Sequence, residues 1–94
     1  MQADPRPSRP QILADLRSFV ASWFRDGHED GLEPETPLVT SGIVDSAGVF
    51  EVIDFVEKRF AVRIADADIN LRQCNTLQAW TELVAQKLAA TATG

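Results

Sequence analysis

The sequence predicts an all-α fold, a bundle of three main helices plus one short helix with a long first loop. Three segments repeat their apolar residues at helical spacing. The one run that alternates like a strand, Phe60, Val62 and Ile64 in FAVRIADADI, has no second run to pair with. It reads better as an extended connector that plugs apolar side chains into a core.

In the first helix Ile12, Leu16, Phe19, Val20 and Trp23 share one stripe. Ser8 and Gln11 make a capping box, and Pro10 stands in the first turn, where its missing N–H costs nothing. The second helix begins near Ser46 and sets Val49, Val52, Ile53, Val56 and Phe60 on a stripe. The third carries Leu77, Trp80, Val84 and Leu88, capped by Asn75 or Thr76. Asp66 or Asp68 caps one short helical turn around Ile69. The core expected from these stripes is Leu16, Phe19, Trp23, Val52, Ile53, Val56, Phe60, Leu77, Trp80 and Val84. Residues 25–45 form a loop long enough to need pinning. Leu32, Leu38, Val39 and Ile43 are spaced to dip into the core, while Pro34, Pro37 and Gly42 stiffen or turn the chain between them. Residues 1–8 and 91–94 read as tails around a single domain over 9–90.

Composition narrows the function. Ninety-four residues suit one small domain, and 45% apolar content is ordinary for a globular chain. No run of eighteen apolar residues is present to span a membrane, and MQADPRPSRP lacks the apolar region of a secretory signal. Cys74 is the single cysteine, which excludes an internal disulfide and fits a reducing cytoplasm. A net charge of −5 opposes nucleic acid and favours a basic partner. A monomer is expected.

The chemistry centres on SGIVDSAGVF, residues 41–50, where Asp45-Ser46 stands at a helix start. A nucleophilic Ser46 would need a base, and the single histidine, His28, sits in a loop among Asp26, Glu29 and Asp30. No G-x-S-x-G elbow surrounds the serine, and one His with one Cys cannot close a zinc site. The chain does not read as an enzyme. The other face of the second helix carries Ala47, Phe50, Glu51, Asp54 and Lys58, rotated roughly 160° from the core stripe. A solvated face accounts for the charges. Phe50 is either a partner contact or a flank residue covered by the long loop.

The segment LVTSGIVDSAGVFEVIDFVEKRFAVRI, residues 38–64, resembles the acyl carrier protein family, whose mark is an Asp-Ser pair opening the second helix. The Leu38 and Gly42 approach, Glu51, the EKRF helix end, the connector from Ile64 to Ile69 and TLQAWTELV over 76–84 share the likeness, which covers about residues 9–90. The resemblance implies an acyl-carrier-like bundle with 4′-phosphopantetheine esterified to Ser46, its thiol carrying acyl or aminoacyl groups as thioesters. It implies a phosphopantetheinyl transferase that brings its own base, with Asp45 either capping the helix or meeting the metal in that complex. A phosphodiester suits a helix N-terminus, where free N–H groups and the macrodipole favour an anion. Ala47 stands where fatty acid synthesis members usually have Leu. Gly48 is costly in a helix, and Lys58 and Arg59 make the face less acidic. The expectation is a discrete carrier in a specialised biosynthetic pathway, loaded by an acyl-activating ligase or an acyltransferase. The alternatives are a fatty acid synthesis carrier or a helical interaction module without cargo. The partner face expected on it is Ala47, Phe50, Glu51 and Asp54.

Overall fold

A computed structural model of the chain describes residues 6–93, with the side chains of 91–93 outside that description. Four α-helices follow in order: α1 Arg9–Phe24, α2 Ser46–Phe60, α3 Leu71–Cys74 and α4 Leu77–Thr93, with a 3-10 turn at Asp66–Asp68. No strand occurs among the described residues. The bundle is all-α, as expected. Of the expected tails, residues 1–5 and Gly94 lie outside the description, and the backbone of 91–93 continues α4.

The capping chemistry read from the sequence operates at each start. Ser8 Oγ accepts from the Gln11 amide and Gln11 Oε1 accepts from the Ser8 amide, closing the box around α1. Asp45 caps α2 by accepting from the Gly48 amide at 2.7 Å. Thr76, not Asn75, caps α4, its hydroxyl accepting from the Ala79 amide at 3.0 Å. At its far end α2 stops on Ala61, held in the left-handed region at φ 56°.

The short helix departs from expectation. The sequence predicts one turn around Ile69, but Ile69 lies between two separate turns. Asp68 returns its carboxylate to the Ala65 amide at 2.9 Å and closes the 3-10 turn before Ile69. Asn70 then accepts from the Gln73 amide at 3.0 Å and starts α3 after it. Ile69 itself is extended, at φ −90° and ψ 94°, so the two turns do not join.

Leu16, Val52, Ile53, Val56, Phe60, Leu77, Trp80 and Val84 are buried, as expected. Each such side chain withdrawn from water stabilises the fold by about 1.5–3 kcal/mol before entropic costs. Trp23 is the correction, at 59% exposed, and Phe19 is half-buried. The buried line on α1 is Ile12, Leu16, Val20 and Ala21, turned towards α4, which makes the largest helix contact with α1. Phe19 and Trp23 are left on the flank beside α2.

The long loop is pinned, as its length demands. Leu32, Leu38 and Val44 are fully buried, while Val39 and Ile43 are half-buried. Asn75, between α3 and α4, holds the loop by four contacts, one of them a hydrogen bond donated by its Nδ2 to the Thr40 hydroxyl at 3.3 Å. Its Oδ1 accepts from the Val39 and Thr40 amides at 2.8 and 3.0 Å, and its backbone carbonyl accepts from the Leu38 amide at 2.6 Å. The Pro34 carbonyl accepts from the Gln78 amide at 2.9 Å, tying the loop to the first turn of α4. Gly42 makes the last reversal before the cap at φ 87°.

Candidate functional site

The pinned loop delivers Asp45 to the start of α2, and Ser46 becomes its first helical residue. Asp45 uses its side chain on the Gly48 amide and its carbonyl on the Val49 amide at 3.0 Å. That leaves the Ser46 and Ala47 amides without a hydrogen-bond acceptor among the described residues. Ser46 is exposed, and its hydroxyl has no hydrogen-bond partner among the described residues. A hydroxyl open to a reagent thus stands beside two unpaired donors at the positive end of a fifteen-residue helix.

Beside Ser46 runs an apolar groove of about 290 Å³ between α2 and α3. Val39, Val49, Ile69 and Cys74 line its floor and walls, and Phe50 and Leu71 form its lips at 64% and 55% exposed. Phe50 is therefore not covered by the long loop. Burial pushes the Cys74 thiol up from its ordinary value, against a smaller pull from a hydrogen bond at Asn70, so this thiol stays protonated at neutral pH.

The structure divides the expected partner face. Ala47 and Phe50 stand with Ser46, all exposed. Glu51 and Asp54, also exposed, line a second groove between α1 and α2. Leu71 and Ile69 are not among the site residues that the sequence suggests. A one-turn helix has no periodicity to read, so nothing marked Leu71 as a groove residue. Gly48 is packed under the Phe24 ring at the end of α1, which accounts for a glycine in the first turn of α2. No hydrogen bond links His28 with Asp45 or Ser46 among the described residues. No group of three or more metal-ligating side chains occurs there either. No described helix is long and apolar enough to cross a membrane.

The chain is 39% identical to "Probable acyl carrier protein PigG" of Serratia sp. (strain ATCC 39006) over 79 residues, which is 84% of this chain and 90% of that protein. The chain belongs to the acyl carrier protein family. No family model matches it. Membership implies that the carrier works with biosynthetic enzymes, so the open end of α2 and its neighbouring groove are the surfaces to account for.

Proposed function

We propose that this carrier holds acyl or aminoacyl groups as thioesters on a 4′-phosphopantetheine arm esterified to Ser46. The observation that carries the reading is the exposed Ser46 hydroxyl at the Asp45-capped start of α2, next to two amides without acceptors. These residues fit a phosphodiester, because unpaired N–H groups at a helix N-terminus stabilise an anion. When attached, the arm supplies a thiol that bonds the cargo; the protein supplies position and recognition.

Each residue then has a role. Ser46 provides the oxygen that is esterified, and Asp45 fixes the helix start that presents it. With no base in hydrogen-bond reach of Ser46 among the described residues, its proton leaves through the phosphopantetheinyl transferase as Oγ takes the phosphopantetheinyl group from coenzyme A, whose pyrophosphate bond breaks to release adenosine 3′,5′-bisphosphate. The carrier is in this reading a partner of enzymes and not itself one. Ala47 and Phe50 offer apolar contact to the transferase and to the acyl-activating ligase or acyltransferase that loads it. Glu51 and Asp54 steer basic enzymes towards that end. The pathway is a specialised biosynthetic one, in keeping with Ala47 and Gly48 after the serine.

Intact-mass measurement after incubation with coenzyme A and a promiscuous phosphopantetheinyl transferase tests this. One arm per chain is expected, and none on Ser46→Ala. An unmodified wild-type chain, or a modified Ser46→Ala chain, overturns the assignment.

A further inference from the structure

The loop that follows α1 carries two Asp-Gly pairs, Asp26-Gly27 and Asp30-Gly31. In such a pair the glycine nitrogen can reach the carboxyl of the preceding aspartate, because glycine has no β-carbon to hinder the approach. The fold treats the two pairs differently. The Gly27 amide donates to the Ala21 carbonyl at 2.7 Å, at the end of α1, and Asp26 is held at φ 52°. The Gly31 amide has no acceptor among the described residues. Asp30 and Gly31 are exposed, and the Asp30 carboxylate has neither an ion pair nor a hydrogen bond among the described residues.

The Asp30–Gly31 peptide is also polarised. Its oxygen, the Asp30 carbonyl, accepts from the Arg25 guanidinium. A cation hydrogen-bonded to an amide oxygen draws electrons from the nitrogen and eases loss of the N–H proton. The next two carbonyls are tied as well, Gly31 accepting from Thr36 Oγ1 at 2.9 Å and Leu32 from Arg17 Nε at 2.9 Å. Every carbonyl from 30 to 32 is therefore engaged, while the one amide that adjoins a free carboxylate is left open.

We infer that Asp30, on a peptide polarised by Arg25, is a site of spontaneous covalent modification to isoaspartate, whereas Asp26 is protected. The Gly31 nitrogen gives up its proton and bonds to Cγ of Asp30. The Cγ–O bond breaks, water leaves, and a succinimide ring closes. Water then adds to either ring carbonyl. Opening at the former main-chain carbonyl sends the chain through Cβ and Cγ and leaves the old main-chain carboxyl as a free carboxylate. Mass and charge are unchanged, but the backbone gains one carbon between the Arg25 contact and Leu32, the first buried anchor of the long loop. The free carboxylate is the group that methyltransferases using S-adenosylmethionine accept on isoaspartate. The inference does not rest on attachment at Ser46.

Ageing the full chain at neutral pH in water labelled with heavy oxygen tests the inference. Endoproteinase Asp-N cuts before aspartate and not before isoaspartate, and each succinimide that reopens takes up one labelled oxygen. In the folded chain the cut before residue 30 should be lost, and its fragment labelled, about tenfold or more faster than at residue 26, whose amide must first break its hydrogen bond. In guanidinium both amides are free, and the two rates should converge. Arg25→Gln, shown to be folded by circular dichroism, should slow the change at residue 30 and leave the denatured rate as it was. Equal rates at 26 and 30 in the folded chain overturn the inference. So does a residue 30 that stays aspartate when folded but changes in guanidinium, or a folded Arg25→Gln chain that ages at the wild-type rate.

Discussion

The Phe24 ring stands where a β-carbon on residue 48 would be: its Cε1 lies 2.6 Å from that position and its Cζ 3.0 Å. Asp45 Oδ1, the cap of α2, lies 3.1 Å from it. A side chain at 48 therefore crowds both the end of α1 and the oxygen that fixes the start of α2.

The effect of Gly48→Ala should depend on Phe24. Alanine favours the helix by about 1 kcal/mol over glycine, whereas overpacking costs about 1–3 kcal/mol. Net destabilisation is expected in the wild-type background. In a Phe24→Ala background the main clash is gone, and Gly48→Ala should stabilise. Urea midpoints for the four proteins decide it; an equal effect in both backgrounds would refute the packing explanation.

Asn75→Ala should loosen the long loop. It strands the Val39 and Thr40 amides that Oδ1 now accepts, at a cost of about 1–3 kcal/mol. Amide exchange at Val39 and Thr40 should rise well beyond exchange in α4. Asn75→Asp keeps an accepting oxygen and should retain most of the protection. Uniform acceleration across the molecule would mean that Asn75 is not a local pin.

Ile53→Ala and Trp23→Ala should separate core from flank. Ile53 is 9% exposed within the core, and its truncation should cost about 2–5 kcal/mol. Trp23 contributes chiefly its stack on Phe19, worth about 0.5–1.5 kcal/mol. Equal losses of stability would place Trp23 in the core after all.

Acid should release the connector between α2 and α3. Hydrogen bonds from Lys87 Nζ, at 2.8 Å, and from the Ala65 amide hold the Asp68 carboxyl below its ordinary value of 3.8. A depressed carboxylate stabilises fully above its unfolded value and loses that contribution as pH falls through its native one. The stability gap between wild type and Asp68→Asn should therefore be constant near neutrality and shrink below pH 3.8. A gap unchanged at about pH 2 would show that Asp68 carries no charge-dependent stability.

Cys74 should be slow towards thiol reagents. It is 4% exposed, and burial raises its value, so little thiolate is available at about pH 7.5. In the modified carrier only the arm's thiol should react quickly with Ellman's reagent, with Cys74 following on unfolding. Two thiols of equal speed in the folded protein would contradict this burial.

Local chemistry settled much of this carrier. Helical spacing determined α1, α2 and α4, because a stripe of Val52, Ile53, Val56 and Phe60 has one face to bury whatever buries it. The Asp45-Ser46 pair determined a capped helix start, because the cap needs only the amide three residues on. What depended on distant partners was left to the tertiary structure. Trp23 shares its stripe with Leu16 but is exposed, because α4 packs along the Ile12–Leu16–Val20 line and α2 covers Phe19 alone. Phe50 and Leu71 come together as groove lips only when α3 packs beside α2, and α3 is too short to show a period. Gly48 looked costly by propensity, and only the Phe24 ring, twenty-four residues earlier in the chain, supplies its reason. Periodicity and capping act within a few residues and can be read along the chain; the side a neighbouring helix covers is fixed only when the core closes.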